Sequence, residues 1–201
     1  MAVIGLFAGL VVPAFHAIGY TQGVNQGVYE VAALLELARK EAVTRQTYVW
    51  VGFENTIADG SAEVRIAAAA SRDGTDRHSA ADNLFALTRA LRLRNVRMGE
   101  WSDLRETTRG LHDGPLPVSV AANADGVAFS AGSVHFNGCT ITFTPGGQAM
   151  LAGSPGLDGG YDSLMEVSLR QTRGDQIPDN ANDGAVILHG STGTPRIILV
   201  R

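Results

Sequence analysis

The sequence predicts an α+β protein in which one long N-terminal helix packs on an antiparallel β-sheet head. Residues 2–20 form an apolar run of the length of a membrane helix, and residues 19–46 space their apolar side chains as a helix does. Residues 47–201 instead alternate short β-branched and aromatic runs with turns that contain Gly, Pro and Asn. The chain has 201 residues, of which 45% are hydrophobic and 18% charged, so it can bury an ordinary core.

Residues 2–20 form an almost wholly apolar run, and the first charged side chain after it is Glu30. As a helix this run is about 28 Å long, close to the roughly 30 Å hydrocarbon core of a bilayer. A soluble core helix fits less well because apolar residues cover every face, and a cleaved signal peptide fits less well because no basic segment precedes the run. We expect a membrane-inserted helix, in which Pro13 is tolerated.

From Gly19 onward the pattern becomes amphipathic, so the helix is expected to continue to about residue 46. Apolar side chains recur at three- and four-residue steps on one face, while most charged side chains are left to the other. The apolar face consists of Val24, Val28, Val31, Leu34, Leu35, Ala38 and Ala42. A helix of this length spans about 65 Å, so its first half must meet lipid or other copies of the chain.

Glycines recur at four-residue steps along the predicted helix. They are Gly5 and Gly9, followed by Gly19, Gly23 and Gly27. Small residues at this spacing form a groove in which another helix can approach closely. Alternatively, they loosen the helix near Pro13, at a cost of about 1 kcal/mol each relative to alanine. We favour the packing interpretation.

The head is predicted to contain short strands joined by tight turns. The expected strands are 48–53, 63–68, 90–98, 127–129, 134–136, 140–144, 148–151, 164–170, 185–189 and 196–200. Asn137-Gly138 predicts a tight hairpin between 134–136 and 140–144, and a turn is expected at 123–126. Residues 71–83 and 175–184 are expected to be polar loops. No second globular domain and no internal repeat is recognisable.

No motif in the sequence indicates an enzyme, a cofactor or a metal site. The P-loop, G-x-G-x-x-G, G-x-S-x-G and H-E-x-x-H patterns do not occur. Cys139 lies near His135 in sequence, but a lone cysteine is ordinarily a small buried hydrophobe, and one cysteine excludes an intramolecular disulfide. Apart from His16 in the apolar run, the other histidines are His78, His112 and His189, and they do not have metal-ligand spacing.

Residues 179–184 (DNANDG) suggest a calcium loop on composition alone. Ala181 falls where the EF-hand pattern requires an oxygen ligand. A solvated loop is therefore the preferred interpretation, and no metal is expected there.

Arginines are concentrated in one stretch of the head. They are Arg89, Arg92, Arg94, Arg97, Arg105 and Arg109. Asp103 and Glu106 interrupt the stretch, and the formal net charge of −4 argues against nucleic acid as a general partner. A solvated strand face is the preferred interpretation, with nucleic-acid contact through Arg89, Arg92, Arg94 and Arg97 as the alternative.

Four segments together resemble a known family. Residues 37–45 (LARKEAVTR) are similar to the "LARxEAxxR" run that ends the long helix in GspH/FimT-type minor pilins and pseudopilins. Residues 3–15 resemble the membrane half of type IV pilin-like helices, including their proline. Residues 141–147 (ITFTPGG) resemble the family's "FxPxG" turn, and Thr192-Gly193 resembles its C-terminal "TG-x-x-R" hairpin. A subgroup called Verru_Chthon cassette protein D is also similar.

The resemblance implies a pilin-like fold and a subunit without enzymatic activity. Such a subunit is stored in the inner membrane by a single-pass helix with its head in the periplasm. It is assembled into a type II secretion pseudopilus or a type IV pilus, and its partners are other pilins or pseudopilins and the inner-membrane assembly platform. Two alternatives remain: a minor pilin that binds DNA during uptake through head arginines, and a membrane-anchored binding module that does not polymerise.

The start of the chain departs from the family pattern. Family members carry a basic leader, then a Gly before the apolar run and a glutamate soon after it, and none of these maps onto a residue of this sequence. We expect an N-terminally truncated sequence, a misassigned start or a copy that is not processed. No cleavage site, methylated residue or assembly glutamate can therefore be assigned.

Overall fold

The computed structural model describes residues 2–77, 83–122, 126–151 and 164–200, and for residues 2–22 it describes the backbone alone. The long helix is confirmed as α1 (Ala2–Arg45). Gln46 ends it in the left-handed region at φ 52°, and the Thr47 N–H donates to Ala42 O over 3.0 Å. This is the Schellman arrangement that satisfies the last carbonyls of a helix.

The head of the molecule consists of short helices and strands that form more than one sheet. In chain order they are β1 (Val49–Ala58), β2 (Ser61–Ser71), β3 (Leu84–Ala86), β4 (Leu91–Arg94), β5 (Val96–Gly99), a 3-10 helix (Trp101–Asp103), α2 (Glu106–Arg109), β6 (Val118–Ser119), β7 (Phe129–Ala131), β8 (Val134–Phe136), β9 (Thr140–Phe143), β10 (Ala149–Leu151), β11 (Leu164–Gln171), β12 (Asp183–His189) and β13 (Pro195–Leu199). The predicted turn at 123–126 falls mostly on residues that lie outside the described ones.

Sheet A has the order β10-β9-β1-β2-β3, and β4 also pairs with β2. The strands expected at 48–53 and 63–68 are present as β1 and β2, both longer than expected, and they form an antiparallel hairpin. Asp59 and Gly60 both have positive φ, at 52° and 74°, as a type I′ turn requires. This turn matches the right-handed twist of the strands and fixes their register.

Sheet B has the order β13-β12-β11-β5, and β6 lies parallel to β11. The predicted closing hairpin is confirmed as β12–β13. The expectation of one antiparallel sheet is corrected in two respects. The strands divide between separate sheets, and the β6–β11 pair is parallel.

The strand expected at 90–98 is interrupted at Asn95. This residue adopts φ 57°, a left-handed conformation that asparagine tolerates better than most residues. The chain therefore leaves β4 in sheet A and enters β5 in sheet B after a single intervening residue. One predicted strand thus becomes the covalent junction between the sheets.

The hairpin predicted at Asn137-Gly138 is wrong. β8 pairs with β7 through a turn at Gly132, which has φ 63°, and β9 pairs with β1 and β10 instead. The β7–β8 ribbon packs on sheet A together with Trp50 and Ala67. Burial of the ribbon's apolar side chains on this face takes precedence over the local turn signal.

The main core lies where α1 meets both sheets. The apolar face predicted for α1 is confirmed, since its members are buried except for Leu34, which is half-buried. Sheet A contributes Val51 and Ile66 to this core, and sheet B contributes Leu169 and Leu188. The helix is therefore held by both sheets along its second half.

Candidate functional site

The second half of α1 carries a further apolar stripe on the side that faces away from the head. Tyr29 is 57% exposed and Leu37 is 42% exposed, and the exposed Ala33 lies between them. The three residues are four positions apart, so they lie one above the other on one helix face. One face of α1 therefore binds its own head, while this outer stripe is open to another molecule.

The glycines predicted to form a helix-packing groove do not all face the same surroundings. Gly27 is buried, and a Cβ atom there would lie 3.1 Å from Leu169 Cδ1 and 3.3 Å from Leu93 Cδ1. It therefore allows close approach of α1 to the head. Gly23 is half-buried, and a Cβ atom there would have Arg94 O as its nearest neighbour, at 3.9 Å.

The other groove glycines, Gly5, Gly9 and Gly19, lie outside the described side chains, as does Pro13. The apolar run 2–20, predicted to span a membrane, belongs to the same segment. Within the described part of the chain, no helix combines the length and the apolar character needed to cross a bilayer.

Three segments that carry the family resemblance meet near the end of α1: residues 37–45, residues 141–147 and Thr192-Gly193. Arg39 Nε donates to Thr192 O over 2.7 Å, which ties the helix to the β12–β13 turn. Gly193 and Gly147 both have positive φ, and a Cβ at Gly193 would lie 2.2 Å from Gly147 O. A Cβ at Gly147 would lie 2.9 Å from Val43 Cγ2. The two glycine turns thus let both hairpins pack on the helix, so these motifs serve the attachment of α1 to the head.

The candidate nucleic-acid residues are all exposed, but the structure does not bring them into one cleft. Arg89 and Arg92 line a depression beside the β7–β8 turn. Arg94 lies 3.8 Å from the Glu63 carboxylate, across sheet A. Arg97, on sheet B, stands directly opposite Arg170 of β11. Nucleic-acid contact by these four arginines stays a prediction.

Residues 100–117, the cover segment, pack through Trp101 and Leu104 on the face of sheet B that is turned away from α1. Trp101 and Leu104 pack there on Ile187 and other apolar side chains. Under the segment lies the carboxyl group of Glu166, which accepts hydrogen bonds from the hydroxyls of Ser119 and Ser168. Burial raises the pKa of Glu166 to about 7, although the two serine hydroxyls oppose the rise.

A second buried carboxylate, that of Asp183, anchors the cover segment. It accepts hydrogen bonds from the Arg105 main-chain N–H at 2.6 Å, from Arg105 Nε at 3.1 Å and from Thr108 Oγ1 at 2.5 Å. The interpretation of residues 179–184 as a solvated loop is therefore corrected, because Ala181 and Asp183 are buried and β12 already begins at Asp183. The burial of Glu166 was also missed at the sequence level. Its strand alternates apolar and polar residues as a half-exposed strand does, which places Glu166 on the side expected to face solvent.

Cys139 and the described histidines have separate neighbours. The Cys139 thiol is half-buried near Ala121 O, and burial raises its pKa. His135 Nδ1 lies 2.7 Å from Ser130 Oγ, and His112 packs edge-on against Trp101. His78 lies outside the described residues. Among those the structure describes, no three His, Cys, Asp or Glu side chains are placed to hold a metal ion.

A long helix that packs one face on its own two-sheet head and exposes a second apolar stripe defines a pilin-like subunit. Residues 28–169, more than half of the chain, match the family model of type II transport protein GspH. The chain belongs to this family. No curated protein and no solved structure matches the chain significantly.

Family membership settles the general class of function. The chain is a GspH/FimT-like pseudopilin of type II secretion, a structural class of subunit that associates with other pseudopilins at the inner membrane and periplasm. The matched region includes the helix end at Arg39 and the Gly147 turn described above. The Verru_Chthon subgroup and the N-terminal truncation stay predictions.

Proposed function

We propose that this chain is a minor pseudopilin that the inner-membrane assembly platform adds to a type II secretion pseudopilus. Residues 2–20 hold it in the membrane before assembly, with the head in the periplasm. Residues 1–46 form the assembly helix, and residues 47–201 present a specific surface. The subunit acts by position and contact, without chemistry of its own.

The exposed stripe Tyr29, Ala33 and Leu37 is the observation that carries this proposal. Full burial of a leucine or an aromatic side chain stabilises an interface by about 1.5–3 kcal/mol, so a neighbouring helix on this stripe is favoured. The charges beside it are partly neutralised within the helix, because Glu36 lies 3.7 Å from Arg39 and 3.8 Å from Lys40. The stripe is therefore suited to apolar helix packing.

Storage in the membrane follows from the composition of residues 2–20. Moving this apolar surface from lipid into water costs about 25 cal/mol per Å², so the helix leaves the bilayer where neighbouring helices bury it again. Gly5, Gly9 and Gly19 would let those helices approach closely. Gly27 is engaged with the head, so we assign the groove to the glycines before it.

We expect Leu37→Glu to abolish co-purification of the chain with the pseudopilins of its own secretion system. A charge buried between helices is strongly disfavoured, and the head should remain folded because Leu37 is exposed. Leu116→Glu is the matched control, since Leu116 is 81% exposed in the cover segment and far along the chain from α1. Equal co-purification of Leu37→Glu and Leu116→Glu would contradict assembly through the stripe.

Deletion of residues 2–20 should move the chain from the membrane fraction to the soluble fraction. The full chain should instead resist washing with high salt and leave the membrane in detergent, since its attachment is apolar. Fractionation and immunoblotting of both forms provide the measurement. A deletion variant that stays in the membrane would show that residues 2–20 are not the anchor.

A further inference from the structure

A hollow lies on the face of sheet A that is turned away from α1, beside the turn of the β7–β8 ribbon. Its volume is about 500 Å³, within the range of ligand pockets. One wall is the segment that leads from β3 into β4, and the other wall is the ribbon turn. The lining residues are 86–90, 92 and 131–134. We call this depression the ribbon hollow.

Both walls of the ribbon hollow are continuous within the described part of the chain. Residues 78–82, which lie outside that part, connect to Asn83, at the end of β3 away from the hollow. Residues 123–125 connect to Gly126, at the end of the ribbon away from its turn. The shape of the hollow is therefore set by described residues.

Two arginines of the ribbon hollow are exposed. The Leu93 side chain is buried in the core that faces α1, and side chains alternate along a strand, so Arg92 points to the opposite face. Arg89 lies three positions earlier, in the connection from β3. Among the described residues, neither arginine forms a salt bridge, and no carboxylate lines the hollow.

The charges around Arg92 leave it without a counter-charge. Arg92 stands directly opposite Arg65 in the β2–β4 register, where like charges destabilise a sheet. Arg65 Nε lies 2.8 Å from the Glu63 carboxylate, and Arg65 also lies 3.7 Å from Glu54. Glu63 is shared further with Arg94, at 3.8 Å. Both of these carboxylates are thus engaged by other arginines, so an anion from outside would stabilise Arg92.

The remaining lining indicates which kind of anion fits. The walls are mainly apolar and include Leu87 and Ala90, both half-buried. An occupant with an apolar side chain beside its negative charge is therefore favoured. Nucleic acid fits less well, because no aromatic side chain on which a base could stack lines this hollow. Members of this family associate with other proteins, so a protein segment is the source we choose.

We propose that the ribbon hollow binds an acidic segment of a partner protein that also carries an apolar side chain. A carboxylate of the segment lies between Arg89 and Arg92 and accepts hydrogen bonds from both guanidinium groups. The apolar side chain packs on Leu87 and Ala90. Arginine suits this contact because its planar donors match the geometry of a carboxylate.

The ribbon hollow is separate from the exposed stripe on α1. Along β2, Ile66 faces the core that contains α1, whereas Ala67 faces the β7–β8 ribbon. The helix and the hollow thus lie on opposite faces of sheet A. A segment in the hollow leaves the stripe free, so this proposal and assembly through the stripe can fail independently.

The test measures binding of short labelled peptides to the full chain in detergent micelles. The probe is the capped peptide Gly-Glu-Leu-Glu-Leu-Gly. We expect a peptide with lysine in place of glutamate to bind about tenfold more weakly, because it loses the charge-assisted contact. A peptide with serine in place of leucine should bind about fivefold more weakly, because it loses apolar burial. Amide NMR shifts should change most at residues 86–92 and 131–134.

Variants of the chain locate the contact. Arg92→Glu should weaken binding of the acidic peptide about tenfold, whereas Arg92→Lys, which keeps the charge but not the planar donors, should weaken it about threefold. Arg109→Glu is the matched control, because Arg109 is exposed in α2 and does not line the hollow. Arg92→Glu should not lower the free energy of unfolding, since it places opposite charges across from each other at Arg65.

Several outcomes would overturn the proposal. These are no saturable binding of the acidic peptide at about 1 mM, equal losses for Arg92→Glu and Arg109→Glu, or shift changes centred away from the two walls of the hollow. A single-stranded oligonucleotide that binds through Arg92 while the peptide does not would also overturn it and would assign the arginines to nucleic acid.

Discussion

Replacing Leu35 with alanine should lower the free energy of unfolding by about 3–4 kcal/mol. Leu35 is fully buried in the core that α1 shares with both sheets. The truncated side chain leaves a cavity between a helix and sheets whose positions are fixed by several other contacts, so little collapse can compensate for it. Attachment of α1 to the head therefore depends strongly on this one side chain.

Leu37→Ala is the matched control, because it removes the same atoms two positions along the same helix. Leu37 is 42% exposed, so its replacement should change the free energy of unfolding by about 0.5 kcal/mol or less. Urea denaturation of both variants in the same detergent supplies the comparison. If the two variants lost equal stability, the buried and outer faces of α1 would have to be reassigned.

The second large expected effect is a dependence of the free energy of unfolding on pH. Glu166 has a pKa of about 7 in the folded chain, against 4.5 as the ordinary value, because it is buried under the cover segment. As the pH rises, the Glu166 carboxyl group therefore keeps its proton in the folded state at pH values where it has already lost it in the unfolded state. The stabilisation is complete below about pH 4.5 and is lost as the pH rises through about 7, a change of about 3 kcal/mol.

Glu166→Gln should remove this dependence, because an amide has no proton to lose. The difference in free energy of unfolding between the unaltered chain and Glu166→Gln, measured by urea denaturation at several pH values, should change by about 3 kcal/mol between pH 4.5 and 7. Glu106→Gln, at an exposed position of the cover segment, should leave the pH profile as it is. A flat difference for Glu166→Gln would show that the carboxyl group is not buried as described.

The long helix could be predicted in detail because its pattern is local. Apolar side chains at three- and four-residue steps from Val24 to Ala42 indicate one buried face, and the structure buries that face. Such a pattern depends on the helical repeat alone and needs no knowledge of the partner surface. The outer stripe could not be recognised in the same way, because Tyr29, Ala33 and Leu37 are too few to stand out in a mainly apolar helix.

The break at Asn95 could also have been found in the sequence. Leu91 and Leu93 occupy odd positions, whereas Val96 and Met98 occupy even ones, so the alternation changes phase at Asn95. A single strand cannot bury both sets on one face. That the second half joins another sheet could not be predicted, because it depends on pairing with β11, which is distant in sequence.

The misplaced hairpin and the buried carboxylates share a different cause. Asn137-Gly138 is a strong local turn signal, but Val134 and Phe136 gain more by packing on sheet A with the rest of the β7–β8 ribbon. Glu166 belongs to a strand whose sequence fits a solvated side, and Asp183 lies in a segment that the sequence predicts to be a polar loop. Residues distant in sequence contact them, Ser119 at Glu166 and Arg105 and Thr108 at Asp183, and no local sequence pattern indicates such contacts.

The packing of α1 on both sheets affects how the subunit transmits a mechanical load. A load applied along the helix axis is divided between two sheets that act side by side, so neither has to bear the whole shear. The single-residue junction at Asn95 joins the two sheets covalently, and the Asn55 side chain of sheet A forms two hydrogen bonds with the main chain of Met98 in sheet B, so the sheets resist sliding past each other. A force applied to α1 therefore displaces the head together with the helix as one rigid unit.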